Sequence, residues 1–198
     1  MEKIKSKNLS KTIKVSLLSA FALILMFFEF ALPIFPDFLK IDLSDVPALI
    51  GAFALGPMAG IMIEFVKNLI HFAVKNQTAG IGEAANFLVG VSFVLPAALI
   101  YRKNKTKTGA IYAVICGIIS MGVTASLLNY YIFLPLYEKV LHFPIDAIVG
   151  IAAKVNPAIK DINTLIVYSI LPFNLVKGLI ASAVTILIYK RVSPILHK

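Results

Sequence analysis

A single cysteine, Cys116, leaves the chain without a partner for an internal disulfide and without the thiolates that most cysteine metal centres need. Histidine is also scarce, with three in 198 residues, and no HExxH pair occurs, so a helix-borne zinc site lacks its ligands. The absence of a GxxxxGK[ST] segment removes the standard phosphate loop and, with it, a self-contained ATPase. No Ser/His/Asp set stands at a recognisable spacing; an enzyme would have to be assembled from Glu64, Lys67 and His71 without motif support. No linker of useful length and no soluble domain interrupt the apolar stretches.

What fills the chain is apolar. Hydrophobic residues make up 59% of it, and the mean hydropathy of +0.89 exceeds what a soluble domain can carry on its surface. The sequence therefore predicts an integral membrane protein, an all-α compact bundle forming one domain over residues 1–198. Six spans are expected, at 12–32, 46–56, 58–74, 84–101, 109–134 and 167–190. The first is too long for a signal-peptide core and has no small-residue cleavage site, so it reads as a retained span. The second is short, and Gly56-Pro57 divides it from the third.

Positive charge tests that count. Lys and Arg form three clusters: Lys3, Lys5, Lys7, Lys11 and Lys14; Arg102, Lys103, Lys105 and Lys107; and Lys190, Arg191 and Lys198. Cytoplasmic flanks collect such residues, and four spans followed by two put all three clusters on one side, with both termini cytoplasmic. Were 46–74 a single bent span, the second cluster would fall outside. The net charge of +9 follows from this topology and from attraction to anionic membrane lipid, so nucleic acid is not needed to explain it.

The outward connections are then 33–45, 75–83 and 135–166. The last is long enough to be a lid or to carry a surface helix, for which Pro144 to Lys154 has the composition. In the first, Ser44-Asp45-Val46-Pro47 offers N-cap candidates, and Phe38 and Ile41 are placed to cover a planar apolar ligand. Glu64, Lys67, Asn68 and His71 recur at spacings of three and four and share one helix face, which must turn inward. This strip serves either to hold helices together or to contact substrate. Asn86, Asn129 and Tyr131, and Asn174 with Lys177, approach from three further helices at similar depth. Amides such as Asn129 and Asn174 suit the imide edge of a heteroaromatic ring, and Lys177 adds a donor; interhelical bonding is the plainer alternative. A lysine facing hydrocarbon costs roughly 2.5 to 3.5 kcal/mol, so Lys177 argues for an enclosed polar site. Ser16 and Ala20 form a small-xxx-small pair on the first span, suited to close helix approach.

Two blocks carry a family resemblance. The stretch from Phe38 through Ser44-Asp45-Val46-Pro47 to Gly60, continuing to Lys67-Asn68-Leu69-Ile70, and the run Leu171-Pro-Phe-Asn-Leu-Val-Lys-Gly178 together resemble the riboflavin-binding S component of energy-coupling factor (ECF) transporters. The likeness extends over almost the whole chain. It implies a prokaryotic cell-membrane protein that is not an enzyme and has no cofactor, and that captures riboflavin as transported ligand. It implies as partners a transmembrane coupling protein and two cytoplasmic ATP-binding-cassette ATPases, with toppling of the S component carrying the vitamin inward. By the same resemblance Phe38, Leu39, Ile41, Asp42, Leu43, Asn68, Asn129, Tyr131, Asn174 and Lys177 are the expected substrate contacts. Ser16 and Ala20 match the family's docking motif, with serine where the motif usually begins with alanine. A stand-alone facilitator for another small heteroaromatic solute is the alternative.

Overall fold

The computed structural model describes the backbone of residues 2–197 and the side chains of residues 9–196. Lys198 and the side chains of Lys3, Lys5 and Lys7, which belong to the basic clusters, lie outside the described residues. The chain runs as α1 (Glu2–Phe27), a two-stranded hairpin of β1 (Phe30–Ala31) and β2 (Lys40–Ile41), α2 (Asp45–Leu55), α3 (Pro57–Val74), α4 (Ile81–Lys103) and α5 (Lys107–Leu128). A π turn, Asn129–Phe133, leads from α5 into α6 (Leu134–Leu141). Next come α7 (Ile145–Val155) and α8 (Ile162–Leu165), and a second π turn, Ile166–Ile170, opens into α9 (Leu171–His197).

Among the described residues five helical stretches are long and apolar enough to cross a membrane: Leu9–Phe27, Pro57–Val74, Ile81–Lys103, Lys107–Leu141 and Ile162–Leu196. Apart from the buried polar strip of α3 and the Asn174 and Lys177 pair on α9, these helices carry apolar residues on both faces. Ala22, Phe93, Ala97, Ala113 and Ala125 are buried in the core, while Leu17, Phe21, Ile119, Val123 and Leu127 stand more than half exposed. A helix hydrophobic all round fits lipid on one side and protein on the other.

The expected second span is shorter than a crossing. α2 has 11 residues, about 16 Å at ~1.5 Å per residue, against a hydrocarbon core of about 30 Å. It is nevertheless a separate element, because the chain reverses at Gly56. Gly56 has φ of 101°, open to glycine and strained for other residues, and Pro57 then starts α3 without needing a backbone donor. The reversal lays α2 against α3: a Cβ at Gly60 would lie 2.6 Å from Ala52 Cβ and 3.0 Å from Ala48 O.

Other boundaries move for local reasons. The first span, expected at 12–32, ends at Phe27, because Phe30 and Ala31 pair with Ile41 and Lys40 in the hairpin. Thr106 starts α5 by accepting from Gly109 N at 3.0 Å. The connection 135–166 is largely helical and carries α7 where a surface helix was one of the two expectations. α8 is opened by a reciprocal cap: Asp161 accepts from Thr164 N at 2.7 Å, and Thr164 Oγ1 accepts from Asp161 N at 2.9 Å. The Thr164 backbone N–H beside Asp161 holds its carboxyl below the usual range.

The basic clusters gather at one end of the bundle. Lys14 Nζ donates to Leu196 O at 3.0 Å, joining the start of α1 to the end of α9. Tyr101, beside Arg102, meets Tyr189, beside Lys190, with ring centroids 5.9 Å apart, and Phe53 completes the trio at 4.3 Å from Tyr101. The hairpin lies at the opposite end. Gly60→Ala should lower stability by about 1 to 3 kcal/mol, because the new methyl would press on Val94 and Ala52. Gly150→Ala, which meets no atom within 4 Å, should leave stability unchanged or slightly raised. Thermal unfolding in detergent compares the two.

Candidate substrate cavity

The connection between α1 and α2 does not stay at the bundle's surface. Its tip is a hairpin whose inner face is pinned by Phe35 and Ile41, both buried against Phe173 of α9; the Phe35 and Phe173 rings meet edge to face at 5.4 Å. Glu29 tethers the outer part, 2.9 Å from Lys40 and 2.7 Å from Lys75. Burial pushes the Glu29 carboxyl up, but the hydrogen bonds from Lys75 and Lys40 outweigh it and hold the group below its ordinary value. The chain then descends, so that Asp42, Ser44 and Asp45 are buried among helices. Irregular backbone at this depth is tolerated because protein surrounds it.

A network of five acidic and basic side chains meets this descent. Lys67, fully buried on α3, lies 2.6 Å from Asp45 Oδ1 and 2.9 Å from Glu64 Oε2, and donates to Ser44 Oγ at 2.6 Å. Lys177 on α9 lies 3.0 Å from Asp42 Oδ2 and 3.6 Å from Asp45 Oδ2. Asp42 Oδ1 accepts from Ser44 N at 2.8 Å. The expected pairing of Glu64 with Lys67 is present, but it is one contact of a larger set. Ser44 makes no side-chain cap on α2, because its hydroxyl is engaged by Lys67.

Beside this network a cavity of about 480 Å³ opens beneath the hairpin, within the ~300 to 1,000 Å³ usual for small-molecule sites. Phe38, Leu39, Asp42, Asn129, Asn174 and Lys177, named from the sequence, all line it. Asn129 Nδ2 donates to Ala125 O and Asn174 Nδ2 to Ile170 O, each at 2.8 Å. Each amide thereby keeps its carbonyl oxygen and one N–H for a ligand. Lys177 presents the remainder of its donors beside Asp42. Met26, Val89, Met121, Phe133, Phe143, Ile148, Ile170 and Phe173 supply apolar walls.

Four of the expected contacts are elsewhere. Ile41 is packed under the hairpin with Phe35 and Phe173, and Leu43 packs against the main core. Asn68 donates to Glu64 O at 2.8 Å on its own helix and lines a groove between α3 and α4, among Phe65, Phe72 and Phe87. Tyr131 is 69% exposed. It sits mid-turn in the π segment, and the turn that brings Asn129 and Phe133 to the cavity rotates Tyr131 away. Glu83 and Thr78 are wall residues that sequence reasoning passed over. Glu83, three residues before Asn86 and hence on the same helix face, is the signal that would have found the first of them. Ser16 and Ala20 are exposed on α1, beside Ile13 and Leu17.

A helical membrane bundle that encloses a polar-lined cavity beneath a re-entrant connection is a solute-binding architecture. Residues 10–189 match the family described as ECF transporter, substrate-specific component. The chain belongs to that family; it is a multi-pass membrane protein and a transporter component rather than an enzyme. It is 37% identical over 191 residues to the riboflavin transporter FmnP of Bacillus subtilis (strain 168), with 94% of each chain covered. It is 35% identical over 196 residues to the riboflavin transporter RibU of Staphylococcus aureus (strain TCH60), covering 99% of this chain and 97% of that one. A solved structure described as the S component of a bacterial ECF transporter aligns with a TM-score of 0.73 and 34% identity, over 95% of this chain and 98% of that chain.

Removing one partner from a buried ion network leaves the others uncompensated. Lys67→Met should therefore destabilise the bundle by about 3 to 5 kcal/mol, and adding Glu64→Leu should restore part of that loss. Thermal unfolding of the single and double variants in detergent reads the difference.

Proposed function

We propose that this chain is the riboflavin-capturing subunit of an ATP-driven importer. The single observation that carries the reading is the cavity wall on which Asn129, Asn174 and Lys177 meet beneath Phe38 and Leu39. Riboflavin has a flat ring with an imide edge and an uncharged hydroxylated chain. Amides with a free acceptor and donor complement the imide, and apolar walls cover the ring. The names of the FmnP and RibU relatives support the same substrate.

The hairpin end then faces outward and the basic end inward, with both termini cytoplasmic. In this arrangement α2 and α3 act as the second and third of six membrane segments, and the chain works as one substrate-binding domain. Ile41, Leu43 and Asn68 support the site from behind through the hairpin, the core and α3. Tyr131 would reach a ligand only after rearrangement of the π turn.

Nothing in the sequence supplies a phosphate loop, so energy must come from partners: a transmembrane coupling protein and two cytoplasmic ATP-binding-cassette ATPases. Ser16 and Ala20 offer the coupling protein a smooth, exposed strip on α1.

Asn174→Ala should weaken riboflavin binding about tenfold, the loss of one or two hydrogen bonds. Quenching of riboflavin fluorescence by the purified, folded variant measures it, and wild-type affinity would remove Asn174 from the site. Ala20→Leu should leave that titration as it is while reducing copurification with the coupling protein; full assembly would show that docking uses another face.

A further inference from the structure

The amides and ammonium on α5 and α9 form one polar pole of the cavity; a second pole, on α3 and α4, is left over once a ring edge is placed on the first. His71 Nδ1 lies 2.9 Å from Glu83 Oε1. Thr78 Oγ1 donates to Glu83 Oε2 at 3.3 Å and accepts from Gly82 N at 3.0 Å. Glu83 is thus held from both sides on the cavity wall, and only 8% of it is exposed. An ionised carboxylate accepts up to about four hydrogen bonds, so these two leave capacity towards the cavity.

The lysines of the wall are committed elsewhere. Lys40 and Lys75 both contact Glu29, and Lys177 contacts Asp42 and Asp45. Among the described ion pairs, none joins Glu83 to a lysine or arginine. Asn86, one helical turn on, lines the same wall, and its Oδ1 is buried without a protein partner. A carboxyl group beside an amide acceptor calls for donors carried on a flexible stem. A row of hydroxyls has that chemistry.

Building on the riboflavin reading above, we propose that Glu83, fixed by His71 and Thr78, is the specificity-determining acceptor for the ligand's hydroxyl chain, with Asn86 as its second contact. The ring edge and the chain then occupy opposite poles. Glu83 is the residue that makes the cavity prefer a flavin bearing the chain over the bare ring system.

Fluorescence titration with riboflavin and with lumiflavin, which has a methyl group in place of the chain, separates this role from a structural one. Glu83→Gln keeps an oxygen for His71 but loses the charge; riboflavin should weaken about tenfold, while lumiflavin shifts less than about threefold. Asn86→Leu, outside the His71 pair, should give the same asymmetric loss. Parallel loss for both ligands, or unchanged riboflavin affinity in both variants, would overturn the assignment. If the unsubstituted protein bound neither flavin, the riboflavin reading itself would fall, a result distinct from parallel loss.

Discussion

Two buried ammonium groups hold this structure in one arrangement. Lys67 and Lys177 stand in helices otherwise built for lipid contact, where a lone lysine costs roughly 2.5 to 3.5 kcal/mol. Three acidic side chains, Asp42, Asp45 and Glu64, meet them within 3.6 Å. Asp42 arrives on the re-entrant connection, Asp45 at the first residue of α2 and Glu64 on α3, so the set is satisfied only when hairpin, α2, α3 and α9 are all in register. An apolar set of the same volume packs without loss of stability in comparable cores, but it does not demand that register. The same contacts place Lys177 at the edge of the cavity, joining the bundle's architecture to the ligand wall.

The cavity follows from that descent. Because the connection turns inward at Asp42, α2 begins at depth and is only half a crossing long, which leaves space beneath the hairpin. An apolar cluster and a charged tether keep the roof in place: Phe35 and Ile41 pack on Phe173, and Glu29 ties Lys40 to Lys75. The surface tethers are exposed to water and contribute little individually. The buried Asp42 to Lys177 contact is therefore the stronger link between roof and bundle. Two π turns flank the hollow, and each disturbs the regular ladder of its helix beside an asparagine that donates back to a main-chain carbonyl.

Much of this was legible in the residues. Spacing alone put Glu64, Lys67, Asn68 and His71 on one inward face, and charge clustering required the chain to reverse near Gly56 instead of bending. Lys177 stood out because hydrocarbon would not tolerate it. Periodicity, however, reports which residues share a face and not what stands opposite. Ser44 and Asp45 look like a helix cap in sequence, and only the approach of Lys67 from α3 converts them into ion-network members. Tyr131 is a different case: two residues from Asn129 it falls about 200° around the helix, so periodicity already sets it opposite the face that carries Asn129 and Phe133. The early end of α1 was hidden because Phe30 and Ala31 are as apolar as the helix before them, and their strand pairing depends on residues ten positions on.

The electrostatics of the lining constrain the cargo independently of any relative. Glu29, Asp42 and Glu83 share the cavity wall with Lys40, Lys75 and Lys177. Each lysine already has a carboxylate within 3.0 Å. A charged solute would have to compete with the buried Asp42 to Lys177 contact and leave one of its members unmatched, which is costly, whereas the Glu29 pairs are open to water. A neutral solute needs no such exchange: it adds hydrogen bonds to the amides and to the open acceptor positions of the wall without breaking an ion pair. Selectivity in such a cavity comes from the placement of donors and acceptors, because a missing hydrogen bond to a buried amide or carboxylate costs more than a missing apolar contact. The network that fixes the fold therefore also carries Lys177 and Asp42 to the cavity wall, so that the same contacts order the bundle and set part of the hydrogen-bonding pattern a solute meets.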